Sequence, residues 1–261
     1  MEEEIEPHQQ QAQLLWMRLA PRVSVGLAEG WKLSARIPVN VRWFDVNYLR
    51  NDGSTFEPAY ADEAGSGESI QGLGDPALMV SKIGRWPGGW IGAVGGGVSL
   101  PLGKTEDNPY SRNQLGSLQQ HAQMGTGAVQ PMFNMEVIRE KEGWRGFAST
   151  GMTFSFYTNA KGYRPPSVYT AAVGASRELG ERFDGLVALN FNRTSKDFWE
   201  GVGYPGRDAL NAKFGLTAHL GLNWLLEAQA QVLLREGLLG VQTGDMMTQR
   251  GSITLGVSWK N

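Results

Sequence analysis

Residues Trp31 to Trp43 read W-K-L-S-A-R-I-P-V-N-V-R-W, and every odd position is apolar: Trp31, Leu33, Ala35, Ile37, Val39, Val41, Trp43. The even positions carry Lys32, Ser34, Arg36, Pro38, Asn40 and Arg42. Successive side chains of a strand point to opposite faces, so one face of this stretch is wholly apolar and the other polar or cationic; a helix would mix both sets on every face. The run covers about 13 residues, twice the length of about 5–6 usual in globular sheets and enough to cross a bilayer at a tilt.

The same alternation recurs along the chain. Leu15, Met17, Leu19, Val23, Val25 and Leu27 interleave with Trp16, Arg18, Arg22 and Ser24. Phe133, Met135 and Val137 interleave with Asn134 and Glu136, and Val187, Leu189 and Phe191 with Asn190 and Asn192. Leu210–Leu222, Leu226–Leu234 and Ile253–Trp259 repeat the pattern. Less regular stretches lie at about 72–84, 90–102, 144–157 and 166–177, where glycine and alanine blur the count. The total is about eleven strands and no long helix. Short turns near Glu29-Gly30, Pro87-Gly88-Gly89, Glu142-Gly143, Gly180 and Asn223-Trp224 alternate with long polar loops near 47–70, 103–125, 158–165, 194–208 and 236–250.

Tight turns at one end and long loops at the other are expected of an outer-membrane barrel. A soluble sandwich would alternate too, but over shorter strands. Trp31, Trp43, Trp86, Trp90, Trp144, Trp224 and Trp259 fall near predicted strand ends, which suits interfacial aromatic girdles. The expected fold is therefore all-β: an antiparallel up-and-down transmembrane β-barrel formed by residues 13–261, preceded by a polar arm at 1–12. Bacterial barrels have even strand numbers, so the visible eleven imply a parent of about twelve. One upstream strand and a signal peptide are expected to be missing, because Met1-Glu2-Glu3-Glu4-Ile5-Glu6 has neither a cationic nor an apolar leader segment.

The 35 glycines show no three-residue period, and 26 aromatic residues (9 Trp, 7 Tyr, 10 Phe) argue against disorder. A net charge of −2 gives no electrostatic basis for binding nucleic acid. Without cysteine, disulfides and thiolate metal sites are impossible. His8, His121 and His219 lack helical metal-site spacing, no Gly-x-Ser-x-Gly elbow occurs, and the Gly92–Gly97 run sits inside a strand rather than before a helix. Asp62, Glu63 and Glu68 share one loop and read as solvated. The chain is thus expected to be no enzyme and to need no cofactor. Alternation places Arg18, Arg22, Lys32, Arg36, Arg42, Asp75, Glu136, Arg145, Asp184, Lys213, His219, Glu227 and Arg235 on the inward face. Cations outnumber carboxylates about two to one in that set, and Arg18–Arg42 would form a basic wall favouring anions. The competing expectation is that these charges pair across a filled interior.

Three segments carry a resemblance. Gly72-Leu73-Gly74-Asp75 resembles the GLGD signature of outer-membrane barrels classed as phenol-degradation-pathway (MetA-pathway) transporters. Ser99-Leu100-Pro101-Leu102-Gly103-Lys104-Thr105 is similar to that family's LPTG strand end, with Leu102 where threonine is commoner, and Gly125-Thr126-Gly127 to its GTG segment. The resemblance implies a channel for small, often hydrophobic or aromatic compounds, and makes Asp75 a lumen-side structural residue. The expected role is passive passage of small solutes, anionic or aromatic, across a bacterial outer membrane, in contact with lipid and lipopolysaccharide. A plugged barrel supporting another envelope protein, or an outer-membrane hydrolase, are the alternatives.

Overall fold

The computed structural model describes residues 8–50, 52–55, 69–105, 124–199, 201–221, 223–239 and 251–259. The polar arm before His8, the acidic triplet Asp62, Glu63 and Glu68, and His121 lie outside the described residues. Two compact units emerge. One comprises the chain up to Arg22, Arg36–Pro76 and Leu100–Gly127; the other comprises Val23–Ala35, Ala77–Ser99 and the chain from Ala128 onward.

The first unit holds a three-stranded antiparallel sheet of β1 (His8–Leu19), β4 (Val39–Arg50) and β5 (Ser69–Leu73), in the order β1-β4-β5. Strand pairing thus begins at His8, within the stretch read from the sequence as arm. The long runs at 13–27 and 31–43 are each interrupted once. Two short strands, β2 (Arg22–Gly26) and β3 (Trp31–Arg36), are separated from β1 and β4 by Ala20-Pro21 and Ile37-Pro38. Proline offers no backbone N–H to a ladder, so two prolines at neighbouring levels break the pairing there. Ile37 N–H donates to the Pro21 carbonyl across the gap at 3.1 Å.

The other sheet has eleven strands. Beside β2 and β3 these are β6 (Ala77–Trp86), β7 (Trp90–Ser99), β8 (Gln130–Lys141), β9 (Trp144–Thr153), β11 (Val168–Glu178), β12 (Phe183–Thr194), β15 (Gly206–Leu220), β16 (Trp224–Leu239) and β17 (Gly251–Trp259). Each strand neighbours the next in sequence, giving an up-and-down meander. The short turns take left-handed backbone, as at Gly88-Gly89 (φ 80° and 79°) and Glu142-Gly143 (φ 51° and 75°), which matches the right-handed twist of the flanking strands. A single 3-10 turn, Ala28–Gly30, is the helical content among the described residues.

The side chains sort as the alternation requires. One face leaves Val187 58%, Phe214 50% and Leu255 74% exposed, while the few buried apolar residues described are Ala77, Met124, Ala128, Ala188 and Trp199. Five such residues make no globular core, and so continuous an apolar face is stable only under hydrocarbon. On that face a cation lies on a tryptophan ring at three short-turn strand ends. Lys82 stands 5.1 Å from Trp31, Arg139 4.9 Å from Trp90 and Arg177 4.9 Å from Trp144. Lys82 also donates to the Glu29 carbonyl. Trp86, opposite Trp90, covers Gly84 and Gly92, where an added Cβ would fall 2.9 and 2.8 Å from its ring. Amphipathic rings and snorkelling cations of this kind mark the polar boundary of a bilayer.

At the long-loop end, β10 (Tyr163–Arg164), β13 (Asp197–Trp199) and β14 (Val202–Tyr204) form a small sheet of their own. Tyr163 packs against Trp199 at 5.3 Å, and Arg164 covers Phe198 at 3.9 Å. Burial pushes the Asp197 carboxyl up to about 6, against the opposing pull of its own backbone N–H and the Tyr163 hydroxyl, which donates at 3.4 Å. Tyr204 stands opposite Asp197 in the register. Because the folded form holds this proton more tightly than the unfolded chain, the loop sheet is most stable below about pH 4 and loses up to about 3 kcal/mol as pH rises through 6. Hydrogen exchange of Asp197–Trp199 and Val202–Tyr204 is expected to accelerate between pH 4.5 and 7.5 beyond its intrinsic pH dependence. Asp197→Asn removes that extra acceleration; an identical profile in wild type and D197N would refute the assignment.

Candidate functional site

In the first unit, register brings together side chains far apart in sequence. Trp16 stands opposite Arg42 and Arg18 opposite Asn40, so all four share one face of the β1–β4 pair while Leu15, Met17 and Leu19 occupy the other. Asn40 is fully buried and Arg42 only 8% exposed. The Asn40 Oδ1 accepts from Trp16 Nε1 at 3.2 Å and from Arg18 Nε at 2.8 Å. Both guanidiniums lie on the same indole, each with its Cζ 4.5 Å from the ring centroid. The two cations are therefore at most twice 4.5 Å apart, where their repulsion is of order 2 kcal/mol at an effective dielectric of about 20. Each cation–π contact returns about 0.5–2 kcal/mol, so the ring alone roughly balances the cost. Asn40 Nδ2 and Arg42 Nε, both donors, have no hydrogen-bond partner.

The three family-like segments meet in the same unit, at one carboxylate. Asp75 Oδ1 accepts from Gly103 N–H at 2.9 Å; Oδ2 accepts from the N–H and the hydroxyl of Thr126, both at 2.6 Å. Backbone bonds stitch the surroundings: Gly74 N–H to the Pro38 carbonyl, Lys104 N–H to that of Leu73, and Gly125 N–H to that of Lys104. The chains touch at glycine. A Cβ on Gly103 would lie 2.7 Å from the Gly125 Cα and 2.7 Å from Asp75 Oδ1. On Gly74 it would lie 2.8 Å from Asn40 Nδ2, so this knot also abuts the arginine cluster. Asp75 is fully engaged by structural donors.

The remaining candidates sit on the eleven-stranded sheet or at its edge. Arg22 begins β2, Lys32 lies within β3 and Arg36 ends it. On the polar face Glu136 stands opposite Ala93 and Ser149, Lys213 opposite Ala188 and Gln231, and Glu227 opposite Thr217 and Gly256. His219 Nε2 contacts Asp184 Oδ2 at 2.8 Å, and Arg145 binds Glu140 at 2.7 Å. Arg235 differs from the alternation. A register shift at Leu210/Asn211 inserts an extra residue in β16, so Arg235 faces Leu210 and shares its apolar side. Glu236 takes the polar side instead and pairs with Arg207 at 3.1 Å. From β6 to β17, register then places Arg85, Arg145, Arg207 and Lys213 on the polar face with Glu136, Glu140, Glu178, Asp184, Glu227 and Glu236. On this stretch carboxylates outnumber lysine and arginine. The alternation reading counted none of Glu140, Glu178 and Glu236. Trp16 and Asn40 were also missed as site members; the available signal was a tryptophan standing on an otherwise polar strand face.

Among the described residues no group of three or more His, Asp or Glu side chains could hold a metal ion. No protein-family model and no curated protein sequence matches the chain. Among solved structures, the chain is similar to an outer membrane channel from Pseudomonas putida F1, with 11% identity and a TM-score of 0.61 over 96% of this chain and 83% of that one. At that identity the likeness shows the fold, an all-antiparallel outer-membrane β-barrel type.

Proposed function

We propose that the protein is an outer-membrane channel through which small solutes pass passively, with anions favoured by the arginines of β1 and β4. The observation carrying this reading is the Arg18–Arg42 pair on one polar strand face, with Arg42 buried and no carboxylate paired to either among the described residues. Rings and walls of arginine select anions because each desolvated cation lowers the cost of stripping an anion of its water. The fold likeness to an outer membrane channel and the lipid-compatible apolar face support the same reading.

The test is conductance. Protein folded in detergent and reconstituted in a planar bilayer is expected to give discrete steps, with a reversal potential of anion-selective sign under a potassium chloride gradient. A folded protein that never conducts, or one that favours potassium, would overturn the reading. Silence would favour a plugged barrel instead, in line with the paired charges Arg145–Glu140, Arg207–Glu236 and His219–Asp184 on the eleven-stranded sheet.

A further inference from the structure

We infer that Trp16, Arg18, Asn40 and Arg42 form a binding site for a small organic carboxylate. The inference deepens the channel reading and rests on it, since it names what the proposed passage would hold.

Hydrogen-bond bookkeeping carries the inference. Asn40 Oδ1, the side-chain acceptor of this cluster, is already taken by Trp16 and Arg18. What remains are donors: Asn40 Nδ2 on a side chain with no exposure and Arg42 Nε on one 8% exposed, both unpartnered. A buried donor without an acceptor is costly, and a guanidinium cannot shed its proton to escape the cost. The unit has no carboxylate of its own to offer among its described side chains. Asp75 is held by Gly103 and Thr126, and Asp52 caps the turn at Ser54. Two unpartnered planar donors on one strand face suit a planar oxyanion, which accepts one bond on each of its two oxygens and so serves both donors better than a single-centred halide. The Asn40 amide is packed against Gly74, where an added Cβ would fall 2.8 Å from Nδ2, and the buried Met124 side chain, 3.3 Å from a Cβ on Gly72 opposite Asn40 in the register, adds apolar surface on the same side. That surface favours a carbon-bearing anion over phosphate.

The experiment is calorimetric titration of the intact folded protein in micelles with sodium acetate, sodium benzoate, inorganic phosphate and chloride. Saturable binding of acetate or benzoate is expected, with phosphate and chloride weaker. Asn40→Asp places a carboxylate inside the cluster and satisfies Arg18 internally, so it should fold and yet bind benzoate at least about tenfold more weakly. Arg42→Lys keeps the charge but loses the Nε donor and should weaken binding in the same direction. Absence of binding, equal binding of phosphate or chloride, or full-strength binding by N40D would each overturn the inference. Because the readout is binding in micelles, a protein that binds benzoate but never conducts would sink the channel reading and leave the site standing.

Discussion

Asp75→Ala is expected to lower the unfolding midpoint of the micelle-bound protein more than any other single change to a polar side chain in the first unit. One carboxylate there accepts three hydrogen bonds, from Gly103 N–H, Thr126 N–H and the Thr126 hydroxyl. Bonds to an ionised acceptor contribute about 1.5–3 kcal/mol each, and the truncation also strands two backbone donors in a partly buried site, so a loss of about 4 kcal/mol or more follows. Urea titration in micelles measures it, and limited proteolysis locates it, with new cleavage expected on either side of residues 103–126. Asp75→Asn should fall between wild type and alanine, because one oxygen still accepts while the amide nitrogen confronts a donor. A D75A protein with an unchanged midpoint would mean the three segments are held by their backbone bonds alone.

Gly174→Val is expected to be nearly as damaging, for a steric reason. A Cβ at Gly174 would fall 2.5 Å from the Cβ of Ala188, 2.6 Å from the Val187 carbonyl oxygen and 2.7 Å from the Phe147 ring. Phe147 and Ala188 flank Gly174 across β9–β11–β12, so the ring occupies the space that a side chain on β11 would need. Phe147 can rotate away; the Val187 backbone oxygen cannot without breaking the ladder. Overpacking of this kind costs about 1–3 kcal/mol, more where backbone must shift. The expected result is a heat-modifiable band that disappears at a lower temperature on an unboiled gel. The double variant Gly174→Ala with Phe147→Leu should recover part of the loss. If valine is tolerated at 174, the sheet there is looser than described.

The spanning strands were legible because bilayer hydrocarbon imposes a period of two that nothing else in the chain obscures. Val187, Phe214 and Leu255 are apolar in sequence and exposed in the fold for the same reason. The short turns were legible too, since left-handed backbone at Gly88, Gly89 and Gly143 demands glycine. Interruption and slippage were not. Pro21 and Pro38 keep the odd–even phase, so the alternation runs straight through a break in pairing. The extra residue in β16 moves Arg235 and Glu236 to opposite faces without leaving a compositional trace. Gly72–Asp75, Ser99–Thr105 and Gly125–Gly127 were each recognisable, yet their convergence on one carboxylate is a three-dimensional fact. The arginine cluster shows the same limit. Arg18 and Arg42 were visible as cations, but that both lie on Trp16, and that Asn40 spends its oxygen on two of the three, depends on a register that only pairing reveals.

The glycine contact beneath Asp75 bears on how such a chain can change over generations. Gly103 and Gly125 hold the two ends of an intervening segment within van der Waals touch of each other, and Asp75 clamps both sides. Whatever lies between starts and finishes at one point, so its length is decoupled from the strands it joins. Doubling such a closed stretch adds only about 0.6 kcal/mol of closure entropy. The clamp thus behaves as a socket. Segments of different length and composition can be exchanged there without re-registering a single β-ladder, so the strands they join stay as they are.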